Sequence, residues 1–262
     1  MRIIEGILAS FDNDLAAHVA RLTSTDDTLV NALQDLVATL KADGVWEIMD
    51  ILCVIHNNAA DSLLDLKGLR DSVNNGLVFT AGAGFSSLGT NYISMDNAAV
   101  SGSVNHADDD NSAFWYVSEG TDGFSTAGGF GFGVATSTSV NYLMSNTGSS
   151  QWTSVIQDNS ANATMASDIV DRFCGHSMES STAHHIQIDS ETWTDTTVTP
   201  GSVNAGQNDD IYVCNINISG APVTMGTNES VSCAWGMGGG LTSTQLTALR
   251  NALDTYMAAM GV

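Results

Sequence analysis

Positive charge is what this 262-residue chain has least of. Seven Lys and Arg stand against 29 Asp and Glu, a formal charge of −22. Beyond residue 70 the only cations are Arg172 and Arg250, against 18 acids. Such a surface repels nucleic acid and anionic bilayers, so no nucleic-acid partner is expected. The acidity fits binding to cations or cationic partners, and fits equally well a device for solubility. No run of 18 apolar residues occurs, so no membrane insertion is expected. The N-terminal Met1-Arg2-Ile3-Ile4-Glu5-Gly6-Ile7-Leu8 imitates a signal peptide only faintly, being short and broken by Glu5. It is read as retained, with synthesis in the cytoplasm. Cysteine is sparse too. Cys53, Cys174, Cys214 and Cys233 form no C-x-x-C pair, which gives a zinc ribbon no support. Free buried thiols are expected; a Cys214–Cys233 disulfide stays open, because both lie in strand-like runs. With only Pro200 and Pro222, there is no proline-rich linker, and no repeat of fixed period marks a solenoid.

What is present is apolar side chain in quantity, 43% of residues, enough for a core. Residues 1–22 place Ile4, Leu8, Phe11, Leu15, Val19 and Leu22 at helical spacing. This stripe either packs on its own domain or docks on a neighbouring subunit, since a terminal segment needs an outside reason to stay ordered. A firmer helix starts near Ser24 or Thr25, with Asp26 and Asp27 in its first turn. Its apolar face is Leu29, Val30, Leu33, Leu36, Val37 and Leu40, and Gly44 is its stop. Val45 to Leu52 continue the apolar content into a short helical turn, while Ile51-Leu52-Cys53-Val54-Ile55 reads equally as a buried strand. From residue 70 Gly, Ser, Thr and Asn dominate. Short strand-like runs follow at 76–80, 91–95, 112–117, 130–134, 140–144, 152–156, 184–188, 210–216 and 230–233. At the C-terminus Thr242 and Gln245 have capping-box spacing. Leu246, Leu249, Leu253, Tyr256, Met257 and Met260 then line one face of a helix, fed by the small-residue run Ala234 to Gly240. The expected fold is mainly β: an antiparallel jelly-roll sandwich with N-terminal helices and an amphipathic C-terminal helix. The expected division is a helical segment over 1–56, a sandwich over 57–241, and a helix over 242–262 packed on it.

Candidate chemistry is thin. Gly175-His176-Ser177-Met178-Glu179 resembles a nucleophile elbow but ends in Glu where a small Gly is needed. His184 and His185 are adjacent, so in a strand they face opposite sides and cannot easily serve one metal. Asp108-Asp109-Asp110-Asn111 offers oxygen ligands for calcium but lacks the glycine and the distant Glu of an EF-hand loop; no cofactor is expected. Gly128 to Gly133 is no phosphate cradle, as no Lys-Ser or helix signal follows. Trp115, Trp152 and Trp193 are either sugar-stacking platforms or core.

Several segments carry a resemblance. They are Asp14–Leu22, Leu36–Trp46, Asn58–Gly68, Val78–Phe85, Asn91-Tyr92-Ile93, and Gly238–Thr242 with the terminal helix. Together they are similar to a domain of bacteriophage tail and virion structural proteins. That resemblance implies a concanavalin A-like, laminin G-like sandwich that is part of a virion and is not an enzyme. It implies other virion proteins as partners and, for a phage surface component, a homotrimer. The expected function is a capsid decoration, head-fibre or tail-accessory subunit. The alternatives are a glycan-binding receptor-recognition protein contacting host surface glycan and, behind it, a glycan-cleaving enzyme. The expected docking residues are Ile4, Leu8, Phe11, Leu15 and Val19.

Overall fold

A computed structural model of the chain describes residues 13–68, 70–86, 90–95, 105, 110–118, 131–135, 140–146, 151–156, 159–164, 173–179, 183–195, 210–218, 221–223 and 231–262, with the backbone alone over 131–164. The chain is mainly β, with antiparallel sheets and few helices. Helix α1 is Asn13–Val19, α2 is Asp27–Ala42 and α3 is Ser243–Met260. The strands are β1 Met49–Val54, β2 Val73–Asn75, β3 Val78–Thr80, β4 Gly84–Ser86, β5 Tyr92–Met95 and β6 Asn111–Ser118. Then come β7 Gly131–Ala135, β8 Val140–Asn146, β9 Gln151–Ile156, β10 Asn159–Thr164, β11 Phe173–Glu179 and β12 Ala183–Ile188. The last are β13 Glu191–Asp195, β14 Ile211–Val213, β15 Ile216–Ile218, β16 Ala221–Val223 and β17 Val231–Gly238.

Two sheets face each other. The first runs β13-β12-β11-β6-β17-β4-β3, with β1 on β17; the second runs β10-β9-β8-β7-β14-β5-β2, with β15 on β7 and β16 on β15. Strand β17 is the spine of the first sheet. It pairs with β6 along one side; along the other, its start pairs with β4 and its end with β1.

Three layers result. Ile51, Cys53, Phe85, Ile93, Trp115, Ile186, Ile211, Val213, Trp235 and Met237 fill the space between the sheets. Leu52, Val54, Phe114, Tyr116, Phe173 and Ala234 point the other way, into a second core with Leu15, Leu33, Leu36, Leu40, Leu246, Leu253 and Met257 of the helices. The central strands of the first sheet, β1, β17, β6 and β11, are therefore covered on both faces. This explains why β1 is buried at every position: a doubly covered strand is a continuous apolar run, without polar alternation. Between Ser232 and Ala234 the register of β17 shifts, a bulge that lets Cys233 and Ala234 both face the helical core.

Both long helices stop and start by recognisable chemistry. Thr242 and Gln245 form the capping box of α3, and Gly261 closes it in the left-handed region at φ 83°. In α2 the expected start is corrected by a residue or two. Asp26 is outside the helix as its N-cap, with its carboxylate accepting from Leu29 N–H at 2.8 Å.

Other readings change as well. Of the stretch expected as a helical turn, Met49–Leu52 is extended, and the strand reading of 51–55 holds as β1. This strand lies within the 1–56 segment that the sequence assigned to helices. The run 210–216 is two strands, broken where Cys214 takes φ 74°. The small-residue run before α3 is strand as far as Gly238. Its glycines are there for close approach: a Cβ on Gly236 would lie 2.3 Å from the Ile51 carbonyl oxygen.

Candidate functional site

The helices cover the middle of the first sheet, and a group of exposed polar and aromatic side chains lies on the outer side of the second. There, β2, β5 and β14 lie side by side, with Val73 opposite Ser94, Asn75 opposite Tyr92, and Tyr212 opposite Ser94. Alternation sends Ile93, Met95, Ile211 and Val213 inward and leaves Val73, Asn75, Tyr92, Ser94, Asp210 and Tyr212 on the outer side. The rings of Tyr92 and Tyr212 stack with centroids 3.8 Å apart and planes 20° from parallel. Tyr212 is buried beneath this contact; Tyr92 is half-buried. Beside them the Ser94 hydroxyl donates to the exposed Asp210 carboxylate. On the far side of β14, Tyr212 is paired with Gly133 of β7, a position with no side chain to rise above the sheet. The amide of Asn217 donates to the Asp210 carbonyl at 2.7 Å, and that of Asn215 to the Asn91 carbonyl at 2.7 Å. The first bond ties the Asp210–Ile218 segment to itself, and the second fixes it against the start of β5.

This patch combines a flat aromatic surface with a carboxylate, a hydroxyl and the exposed Asn75 amide. Chemically it can hold a ring with one apolar face and several hydroxyls: the aromatic takes the C–H face and the polar groups take hydroxyl protons.

The residues singled out by sequence lie elsewhere. Leu15 and Val19 are buried in the chain's own helical core; Ile4, Leu8 and Phe11 lie outside the described residues. The elbow-like pentapeptide is the interior of β11. Ser177 is fully buried and its hydroxyl accepts from Leu241 N–H at 2.6 Å, a structural tie between β11 and the entry to α3. His184 and His185 do face opposite sides. His184 meets His176 inside the sandwich, ring centroids 5.9 Å apart, and burial holds His176 well below the ordinary histidine range. His185 faces out, with Nδ1 2.9 Å from the Thr194 hydroxyl and Nε2 3.4 Å from Glu179. Of the oxygen-rich cluster, Asp110 accepts from Gly240 N–H at 2.7 Å and Asn111 is buried; Asp108 and Asp109 lie outside the described residues. Among the described residues no group of three or more metal-ligating side chains occurs. Trp115 is core, its indole N–H donating to Ser232 Oγ at 2.8 Å. The side chains of Trp152 and Trp193 lie outside the described residues. All four cysteines are buried thiols, none of them in a disulfide. Cys214 is in the core between the sheets, whereas Cys233 is in the helical core, so the disulfide left open by sequence does not form.

No family model matches the chain, and no characterised protein matches it by sequence. Solved structures do match by shape. A mutant of Trypanosoma rangeli sialidase displaying trans-sialidase activity superposes with a TM-score of 0.53 at 13% identity, over 87% of this chain and 39% of that one. The binding domain of botulinum neurotoxin serotype D gives 0.54 at 9% identity, over 77% of this chain and 50% of that one. The binding domain of botulinum neurotoxin serotype D/C gives 0.51 at 12%, over 79% and 52%. The chain thus spans about half or less of the length of these proteins. At such identities the likeness shows a shared β-sandwich fold and nothing finer.

Proposed function

We propose that this protein is a non-enzymatic carbohydrate-recognition subunit, and that the Tyr92–Tyr212 face of the second sheet is where the sugar lies. The observation that carries the reading is the stacked tyrosine pair, with Tyr92 only half-buried, beside Ser94 and the exposed Asp210 on the outer side of the second sheet. The fold supports it: sandwiches of this shape occur in a neurotoxin binding domain and in a sialidase. A glycan array probed with the intact protein tests it. Binding to a defined set of glycans is expected, weakened by Tyr92→Ala at least about tenfold, since an aromatic contact of about 0.5–1.5 kcal/mol is lost together with buried ring area. Absence of binding to every glycan on the array, and to whole host cells, would overturn it.

The setting proposed for this subunit is a phage particle. The support is the resemblance of the Asp14–Leu22, Asn58–Gly68 and Val78–Phe85 segments to phage tail and virion proteins. On that reading it assembles with other virion proteins, as a homotrimer, and Ile4, Leu8 and Phe11 supply contacts with a neighbouring subunit. Antibody labelling of purified particles tests the location. Deletion of residues 2–12, followed by light scattering, tests the arm; unchanged subunit number and unchanged particle occupancy would defeat it.

A further inference from the structure

We propose that the pocket between α1 and the Trp46–Gly68 wall is a binding site for a small organic carboxylate, held between Arg21 and Lys67. The pocket has a volume of about 260 Å³ and is lined by Asp14, Ala17, His18, Arg21, Trp46, Leu66, Lys67 and Gly68. It lies on the helical side of the molecule, with the first sheet and the sandwich core between it and the tyrosine face, and it does not depend on the function proposed for that face.

Charge distribution singles the pocket out. The whole chain holds seven Lys and Arg, and three of them, Arg21, Lys41 and Lys67, meet here. Three of the nearby acids, Asp14, Asp71 and Asp65, are already engaged. Asp14 pairs with Lys41 at 2.9 Å and accepts from the Trp46 indole N–H at 3.3 Å. Asp71 pairs with Arg21. The fully buried Asp65 accepts from the N–H groups of Leu52, Lys67 and Arg70. Lys67 is different: it forms no ion pair among the described residues. Its ammonium donates to the Trp46 carbonyl at 2.7 Å and sits 4.3 Å from the centre of the Trp46 ring. A half-buried ammonium without a carboxylate partner, in a chain carrying a net −22, is a cost that a bound anion would offset. Burial accordingly pulls the Lys67 pKa below its usual value, against the opposing pull of Asp14, Glu47 and Asp65.

Donor capacity is also in hand. Arg21 spends one N–H on the Asp65 carbonyl at 3.0 Å and another on Asp71, which leaves most of a five-donor guanidinium for a ligand. Lys67 has spent one of three. His18, on the same wall, is 1% exposed, and its Nδ1 is buried without a well-formed hydrogen bond.

Shape and polarity choose among anions. The walls supplied by Ala17, Leu66 and the edge of Trp46 are apolar, which suits a carbon body more than a free inorganic oxyanion. With Asp14 and Asp71 close by, a monoanion is better accommodated than a dianion. The volume is below the roughly 300–1,000 Å³ of pockets for drug-sized ligands, so the ligand is one sugar ring or less. A sugar acid and a free small carboxylate share this chemistry.

The test is an NMR titration of the full chain that follows the Trp46 indole N–H and the Lys67 side chain. The probes are sodium glucuronate, sodium acetate, glucose and inorganic phosphate. Saturable shifts at Trp46 and Lys67 are expected with glucuronate and not with glucose. Acetate as strong as glucuronate identifies a free carboxylate as the ligand type, and weaker acetate identifies the sugar acid. Lys67→Met should weaken binding at least about tenfold, the worth of a charge-assisted hydrogen bond, and Lys67→Arg should retain it. Should Lys67→Met not fold, nuclear Overhauser contacts from glucuronate protons to Leu66 and Trp46 in the unmodified protein decide instead. No saturation by either carboxylate in the millimolar range, equal shifts with glucose, or binding of phosphate alone would each overturn the proposal.

Discussion

Tyr256 illustrates how tightly single residues are committed in the helical core. Its ring is almost fully buried, and its hydroxyl reaches across 201 positions of sequence to donate to the Ile55 carbonyl at 2.6 Å. Burial drives the phenol pKa up, so it remains a donor at any ordinary pH. Tyr256→Phe keeps the ring and removes the donor. The expected loss is about 1–3 kcal/mol, the penalty for leaving a buried carbonyl without its partner, read as a lower urea midpoint at unchanged slope. Gly236 makes the complementary case: a side chain there meets the Ile51 carbonyl oxygen at 2.3 Å, a backbone atom that cannot swing away. Gly236→Ala should separate β17 from β1 and cost at least about 1–3 kcal/mol. A chemical-denaturation curve within error of the parent would show that the pair can widen freely. Residue types of this kind are only half legible in a sequence. Gly236 was visible as one of a run of small residues, but a close backbone approach leaves no periodic trace. Ser177 and His176 resembled chemistry because both faces of β11 are covered, which removes the polar-apolar alternation that would have marked the segment as strand.

Among the elements, α3 was the most legible because cap and periodicity agree. Thr242, Gln245 and the Leu246–Met257 face all point to the same helix, and the structure adds Gly261 as its stop. Leu253 is fully buried in the second core, and Leu253→Ala should cost about 2–5 kcal/mol; a loss below about half a kcal/mol would be that of an exposed site. Strand β1 was ambiguous for the reason that its final state is unambiguous: buried on both faces, it has no period to read. The three-residue strands β2 and β4 are too short to show one. The tyrosine face was out of reach, since Tyr92 and Tyr212 are 120 positions apart and only strand pairing joins them. Helix α1 carries a pH response. His18 Nε2 lies 3.1 Å from His56 Nε2, and His56 Nδ1 lies 2.8 Å from the Val54 carbonyl, so the pair holds when one ring donates and the other accepts. Around it stand Arg21, Asp61, Asp65 and Asp71. Burial, then the neighbouring His56 and Arg21, hold His18 at about 3; burial holds His56 at about 4. Both values are below the unfolded value of about 6.5, so the stabilisation is complete above that pH. It is lost as pH falls through about 6.5 toward 4 and then 3. His176 acts in the same direction. The urea midpoint should fall steadily from pH 6.5 to 4, and His18→Leu should flatten part of that slope. An equally steep slope in the variant would place the protons elsewhere.

For the whole molecule the dominating quantity is charge. With −22 carried on 262 residues, self-repulsion opposes the compact state and salt relieves it. Raising sodium chloride from a few tens of millimolar to about half molar, where the screening length falls to a few ångströms, should raise the melting temperature; a flat or falling response would mean that the surface acids are already neutralised by bound cations.

The position of β17 has a consequence for how the polypeptide leaves the ribosome. Among the described elements, this spine strand and the helix that seals the second core are made after all the others. Until residues 231–262 emerge, β6 has no neighbour on one side, β1 and β4 have none on theirs, and the apolar row of β1 lies open to water. Before then the first sheet is split into β13-β12-β11-β6, the β4-β3 pair and an unpaired β1, and such bare edges are the condition in which strands pair with the wrong partner. Chains cut before residue 231 should accumulate as aggregates. Supplying residues 231–262 as a separate peptide during refolding should recover soluble protein from them.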